Sequence, residues 1–211
     1  SYTYGAAAAT AADRFVTTSS SPKLDPNSSV KPGDLTNKTT YTTDSNATVT
    51  LLASEMPAGK WVVINAPNAT IKITGNLTYT DDSLTSISDI PQLVIIAKKI
   101  IIADSVTQVD AWLVSANSSN TGAVNTCGAG GVTETQVLTS KMCDQQLTIN
   151  GPVITNHLAL RRTAGAGTGA DSGDPAEVFN LRPDAYLWAL SLQTSTAKAQ
   201  TVQTVELPPR Y

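Results

Sequence analysis

The residues best suited to chemistry are few and scattered. The single histidine, His157, sits in an apolar alternation with Ile154, Leu158 and Leu160. A histidine base needs a placed nucleophile and an acid to orient it. Serine is abundant, but no Gly-x-Ser-x-Gly elbow occurs, so His157 reads as a strand residue. The segment 165–169 (GAGTG) has glycines enough for a phosphate cradle, but a Walker loop ends in Gly-Lys-Ser/Thr and opens a helix. Here Ala170-Asp-Ser-Gly-Asp-Pro175 follows, which is loop sequence. Asp171 with Asp174, and Asp81 with Asp82, offer hard oxygens to calcium, yet neither pair has the spacing of a calcium loop. They read as solvated carboxylates.

Paired carboxylates could cleave a glycoside. Asp104 and Asp110 are the residues to test, although acids are sparse and no aromatic cluster surrounds them. Arg161, Arg162, Arg182 and Arg210 share the last third with Asp171, Asp174, Glu177, Asp184 and Glu206. Structural ion pairing is the simplest account of them. Trp112, Phe179, Tyr186 and Trp188 are expected in the core or capping a coil. The expectation from these residues is a protein with no catalytic, cofactor-binding or metal site.

Cys127 and Cys143 lie 16 apart across a Gly/Thr-rich segment. They read as a disulfide, with two independent buried thiols as the alternative. Two cysteines and one histidine cannot supply the four ligands of a structural zinc. Six Asn-x-Ser/Thr sequons occur, at Asn27, Asn37, Asn46, Asn68, Asn76 and Asn117.

Composition narrows the class. Of 211 residues, 15% are charged, against roughly 25% in an ordinary soluble protein. Serine and threonine make up roughly a quarter. The net charge is −3, which disfavours nucleic acid and polybasic membrane contact. The strongest apolar run, 93–102 (LVIIAKKIII), carries two lysines and is half the length of a membrane span, so the chain is not expected to span a membrane. Residues 1–4 (SYTY) lack the basic and apolar regions of a signal peptide. Export would place residue 1 after a cleavage.

Two regions must hold these residues. Residues 1–55 are read as an extended polar arm. Alanines between 6 and 12 could form a turn or two of helix. From 17 to 50 the chain is mostly Ser, Thr, Asn, Pro and Lys. Such a stretch buries too little surface to offset its ordering entropy alone. Residues 39–52 (TTYTTDSNATVTLL) have strand composition and are read as a strand donated to a neighbouring copy. Thr39, Tyr41, Thr43, Val49 and Leu51 are the expected subunit-interface residues.

Residues 56–211 are read as an all-β domain of β-solenoid type with an insertion at 117–146 that carries both cysteines. Short β-type runs occur at 61–64, 69–79, 93–96, 100–102, 109–114, 147–149, 153–154, 158–160, 186–192 and 201–207. The segments 71–77 (IKITGNL), 100–106 (IIIADSV) and 147–153 (LTINGPV) each show apolar residues at i, i+2 and i+6 around a small or polar corner. Strand, corner and strand repeated at this scale is the pattern of a solenoid coil. A β-sandwich with antiparallel hairpins is the alternative.

Several segments resemble uncharacterised secreted or cell-surface proteins of the Patescibacteria, the Saccharibacteria-like candidate phyla. They are 91–115 (PQLVIIAKKIIIADSVTQVDAWLVS), 124–127 (VNTC), 147–167 (LTINGPVITNHLALRRTAGAG), 175–189 (PAEVFNLRPDAYLWA) and 201–211 (TVQTVELPPRY). The resemblance covers roughly residues 60–211. It implies export and a β-rich, wall-associated domain, and it transfers no catalytic residue.

A solenoid has open ends, and open strand edges invite stacking. The expected function is therefore a structural subunit of an extracellular filament or surface layer, located outside the cell or on its surface, with other copies of itself as partner. The alternative is a monomeric surface adhesin or carbohydrate-binding module that meets cell-surface glycans. A polysaccharide-acting enzyme ranks third.

Overall fold

A computed structural model describes residues 21–80, 84–117, 119–128, 143–162 and 175–191. Strands dominate it, and every strand pair among the described residues is parallel. A ten-stranded sheet and a five-stranded sheet share one apolar core. The antiparallel hairpins of a β-sandwich do not occur among the described residues.

The chain alternates between the two sheets. It starts in the large sheet with β1 (Lys23–Leu24), β2 (Ser29–Val30), β3 (Thr39–Thr43) and β4 (Thr48–Leu51), then crosses to the small sheet with β5 (Ser54–Met56). It returns with the long β6 (Trp61–Ile73), crosses with β7 (Leu77–Tyr79), returns with β8 (Gln92–Ile102) and crosses with β9 (Gln108–Asp110). Next come β10 (Trp112–Ser115) and β11 (Ala123–Asn125) in the large sheet, and β12 (Leu147–Asn150) in the small one. The final circuit is β13 (Val153–Thr155) and β14 (His157–Ala159), followed by β15 (Glu177–Asn180).

Each circuit lays like residues over like. Tyr41, Ile64, Ile95, Leu113 and Val153 form one register column. Val49, Ile71, Ile100, Val124 and Leu158 form a second. Leu77, Val109, Ile149 and Phe179 form the third, in the small sheet. Parallel neighbours sit about 4.8 Å apart, so these columns interdigitate as continuous apolar rows. β-branched residues suit them because they pack well on a pleated surface.

The expected boundary at residue 55 is corrected here. β3 and β4 pair in register with β6 of the same chain. Tyr41, Val49 and Leu51 are buried in that shared core, and Thr39 and Thr43 lie on β3 beside them. Residues 23–56 are therefore the first circuits of the domain. Their backbone groups pair with β6, which offsets the entropy that their composition alone could not. Residues 1–20, with the turn or two of helix expected at the alanines, lie outside the described residues.

Three further expectations are corrected. Residues 123–125, inside the expected 117–146 insertion, form β11 and pair with β8 and β14. The strand expected at 186–192 is a helix, α1 (Pro183–Ser191). Pro183 opens it, where the missing N–H is harmless, and Asp184 suits the first turn. Ala185 and Trp188 pack on Val63, Val94, Ile96, Trp112 and Val114, on the side of the large sheet facing away from the shared core. Of the four aromatics expected in the core or capping a coil, Trp112 and Trp188 are buried, whereas Tyr186 and Phe179 are exposed and so are not core residues. The strand expected at 201–207 lies outside the described residues.

Candidate interaction surface

The last described circuit exposes apolar residues that the earlier ones bury. Its strands β13, β14 and β15, like β1, β2 and β5 at the other end, have a neighbour on one edge only among the described residues. Leu158 continues the column of Val49, Ile71, Ile100 and Val124, each of which is fully buried, yet Leu158 is 43% exposed. Phe179 continues the column of Leu77, Val109 and Ile149, and is 40% exposed. Leu160 is 57% exposed. Leu158 and Phe179 stand at inward register positions, and among the described residues no further circuit lies beyond them. Among the described residues they present apolar surface beside strand edges that pair with no other strand.

At the front, the small-sheet strand β5 is overlaid by a turn, while β1 and β2 each have one paired neighbour. Leu24 and Met56, at its outermost inward positions, are 5% and 1% exposed. A 3-10 turn, Pro32–Asp34, lies over β5. Gly33 N–H donates to Ser54 Oγ at 2.7 Å, and Lys60 Nζ donates to the Gly33 carbonyl. Thr36 N–H donates to the Tyr41 hydroxyl at 2.9 Å. A side chain at Gly33 would meet the Glu55 carbonyl oxygen at 2.2 Å, so only glycine lets this turn approach the strand so closely.

Polar groups pin the open end to the body. The Arg162 guanidinium donates to the carbonyls of Thr126 (2.9 Å), Asp104 (2.6 Å), Gln145 (3.3 Å), Ala103 (2.8 Å) and Val106 (3.0 Å). Burial pulls the guanidinium below its ordinary pKa, while the carboxylates of Glu177, Asp104 and Asp144 oppose that fall. Glu177 accepts from the backbone N–H groups of Arg161 and Arg162, both at 3.0 Å. Arg182 pairs with Asp184 at 2.7 Å and lies 5.0 Å over the Tyr79 ring. So the expected ion pairing describes Arg182, whereas Arg162 is a clasp on backbone. Arg210 lies outside the described residues.

Cys127 and Cys143 are joined as a disulfide, with their Cα atoms 6.0 Å apart. Both are buried. The bond brackets the residues 129–142 and fixes the point where the chain re-enters at β12.

A polar ladder runs along one corner into the same end. Asp110, Asn150 and Asn180 are register neighbours in β9, β12 and β15. Asn150 Nδ2 donates to Asp110 Oδ1 at 2.7 Å, and Asn180 Nδ2 donates to Asn150 Oδ1 at 2.9 Å. Asp110 Oδ2 accepts from Tyr79 N–H at 2.9 Å. Asp110 is thus buried and hydrogen-bonded on both oxygens. Asp104 lies apart from it, at the turn clasped by Arg162. The two acids named for glycoside cleavage are held in different hydrogen-bond networks. His157 is exposed on β14, where its ring nitrogen Nε2 bonds the Asn120 carbonyl at 2.8 Å. Burial pushes the Tyr79 hydroxyl well above its ordinary pKa, against the Leu93 N–H bond that it accepts.

The opposite corner holds a shallow polar groove of about 440 Å³, lined by Asn46, Asn68, Lys98, Asn117 and Thr121 among others. The glycine loop 165–169, with Asp171 and Asp174, and the pair Asp81 and Asp82 lie outside the described residues. Among the described residues no cluster of three His, Cys, Asp or Glu could hold a metal ion. None of the described helices is long and apolar enough to cross a membrane. Compared with known protein families, curated proteins and solved structures, the chain matches none.

The sequence offered a signal for the open end that was not used. Leu158, Leu160, Phe179 and Leu181 are large apolar residues in and beside the last described strands. Leu181 is exposed as well.

Proposed function

We propose that the chain is a structural subunit of an extracellular filament or surface layer, assembled by β-strand contacts between copies. In this reading the parallel circuits are the coils of a β-solenoid, and the last coil is the assembly edge. The observation that carries it is the exposure of Leu158 and Phe179 at positions whose register neighbours are fully buried. Unprotected parallel edges with an apolar slice pair with other edges. The disulfide and the low charge fit an oxidising exterior. The reading assigns no catalysis, cofactor or metal. It moves the contact from residues 39–51, which are internal, to the far end of the fold.

Analytical ultracentrifugation with negative-stain imaging tests it. Assembly that grows with concentration is the expected result. A single 22.0 kDa species from micromolar to millimolar concentration overturns it.

A second reading, a monomeric adhesin or carbohydrate-binding module, draws on the polar groove at Asn46, Asn68 and Lys98. Amide, hydroxyl and ammonium groups at one corner can hydrogen-bond sugar hydroxyls. A glycan array distinguishes it. Binding by the monomer that is lost in a Lys98→Ala variant favours this reading over assembly.

A further inference from the structure

We infer that the outward face of the large sheet beside the polar groove binds an acidic polysaccharide, one whose sugar rings carry carboxylates. The inference rests on the carbohydrate-binding reading above and names the class of glycan.

Charge is unevenly spread over this fold. The chain carries 17 Asp and Glu residues against 14 Lys and Arg. Yet β2, β4, the second half of β6, the second half of β8, β11 and β14 make one continuous stretch of sheet that contains no Asp or Glu. Asp44 and Asp104, close to it in sequence, are taken up elsewhere: Asp44 pairs with Lys23, and Asp104 stands at the turn clasped by Arg162.

The cations of this stretch point outward. Ile71, Ile73 and Ile100 are fully buried in the shared core, so the alternate residues Lys72 and Lys99 face the other way. Lys99 pairs with Thr70, and Lys72 pairs with Ile101. The two lysines are thus diagonal neighbours on one face, with Cα atoms about 8 Å apart from strand spacing and rise. Lys98 stands next to them at the corner, and both Lys98 and Lys99 are exposed. None of the three ammonium groups has an ion pair or a hydrogen bond among the described residues. Three like charges on a face without a carboxylate raise the local potential and attract anions.

The groove supplies partners for sugar hydroxyls beside these charges. Lys98 lines it together with Asn46 and Asn68. Asn46 N–H donates to the Asn68 carbonyl at 2.9 Å, so the two residues lie side by side, one strand spacing apart. Their side-chain amides are exposed and make no hydrogen bond among the described residues, which leaves donors and acceptors for a ligand. The facing wall is fixed in advance. Asn117 Oδ1 accepts from the N–H groups of Ser119 (3.1 Å) and Thr121 (2.9 Å), and Asn156 Oδ1 accepts from Asn117 N–H at 2.9 Å. A wall already ordered costs less to bind against.

The balance of groups selects the class. Nucleic acid needs a strongly basic surface, and the net charge of this chain is −3. An acidic membrane is met by larger basic clusters, whereas the outward residues flanking these lysines are Thr48, Thr50 and Thr70. Spaced cations beside free amides and hydroxyls match a polymer that alternates carboxylates with hydroxyls.

Isothermal titration calorimetry of the full chain with polygalacturonate, and with the same polymer methyl-esterified, tests the inference. The ester keeps the hydroxyls and loses the charges, so it should bind about tenfold more weakly. The triple variant Lys72→Gln/Lys98→Gln/Lys99→Gln should lose about tenfold or more in affinity for polygalacturonate. The triple variant Lys72→Arg/Lys98→Arg/Lys99→Arg keeps the charges and should stay within about threefold of wild type. Lys38→Gln, an exposed change beside β3 on the other half of the sheet, should bind as wild type does. Added salt should weaken polygalacturonate binding more than binding of the ester. Near-UV circular dichroism from the buried tryptophans shows that each variant is folded.

Three results overturn the inference. Equal affinity for the two polymers, or a folded glutamine variant that binds polygalacturonate as wild type does, removes the acidic class and leaves the carbohydrate reading standing. Lysine-dependent binding of single-stranded DNA as tight as that of polygalacturonate shows that the face reads charge alone. No binding of either polymer at millimolar concentration removes the inference, and a blank glycan array beside it removes the carbohydrate reading as well.

Discussion

Replacing Arg162 with methionine isolates the clasp that holds the last circuits to the body. The arginine is 7% exposed and donates to five backbone carbonyls. Two of these, from Thr126 and Val106, are in buried contacts. Each costs about 1–3 kcal/mol when left unpaired. The carbonyls of Ala103, Asp104 and Gln145 are part-buried and can take up water, at roughly 0.5 kcal/mol each. Removing a charge that burial disfavours returns part of this sum. The net expectation for Arg162→Met is a loss of about 4 kcal/mol. Arg162→Lys keeps the charge but presents three donors from one nitrogen, so about half the loss, ~2 kcal/mol, is expected. Urea titration of the oxidised protein, followed by tryptophan fluorescence, reads both. The midpoint should fall in the order wild type, lysine, methionine with little change in slope. A methionine variant within ~1 kcal/mol of wild type, or less perturbed than the lysine variant, refutes the clasp.

Other consequences can be measured in the same way. The double variant Cys127→Ser/Cys143→Ser should lose about 3 kcal/mol, the loop-closure value for a separation of this size; a change under ~1 kcal/mol in urea titration would count against it. Asp89 is held below its ordinary pKa by hydrogen bonds from the Thr85 and Ser86 side chains. Its folded form prefers the carboxylate, so its contribution is complete at neutral pH and is lost as pH falls through the lowered pKa. An NMR titration should therefore place its midpoint below 3.8, and a midpoint at or above that value contradicts the capping geometry at Ile87–Asp89. Gly151 has φ +152° and lies where a Cβ would meet the Ala111 carbonyl oxygen at 2.3 Å. Gly151→Ala should lower stability by about 2 kcal/mol, and thermal unfolding that is unchanged would show that the corner can shift.

Much of the β content was legible because its cause is local. The alternation at 69–79 and the apolar runs at 93–96 and 100–102 fall within β6, β7 and β8. The repeat was half right. Ile71 and Ile73 do stack on Ile100 and Ile102. Leu147 and Ile149 belong to the other sheet, where Ile149 stacks on Val109, so the third segment turns a different corner. A cleaner repeat went unread. Asn46-Ala-Thr48 and Asn68-Ala-Thr70 are 22 residues apart, and Thr48 pairs with Thr70. Sequence identity across one circuit marks the register directly, whereas a pattern of apolar parity fits strands in either sheet. Helix α1 was misread because Tyr186 to Leu190 is apolar on every side and offers no period to tell a helix from a strand.

The misplaced interface has one physical origin. Counting apolar residues between 17 and 50 undervalues a strand that sends only alternate side chains inward. Leu24, Tyr41, Val49 and Leu51 suffice, because β6 already supplies the other half of the contact and its backbone takes up theirs. Polar composition therefore says little about whether a strand in such a stack is covered. What decides it is whether another circuit follows in register. The same logic bears on Leu158 and Phe179: they are as apolar as their neighbours in the column, and they are the last of it among the described strands.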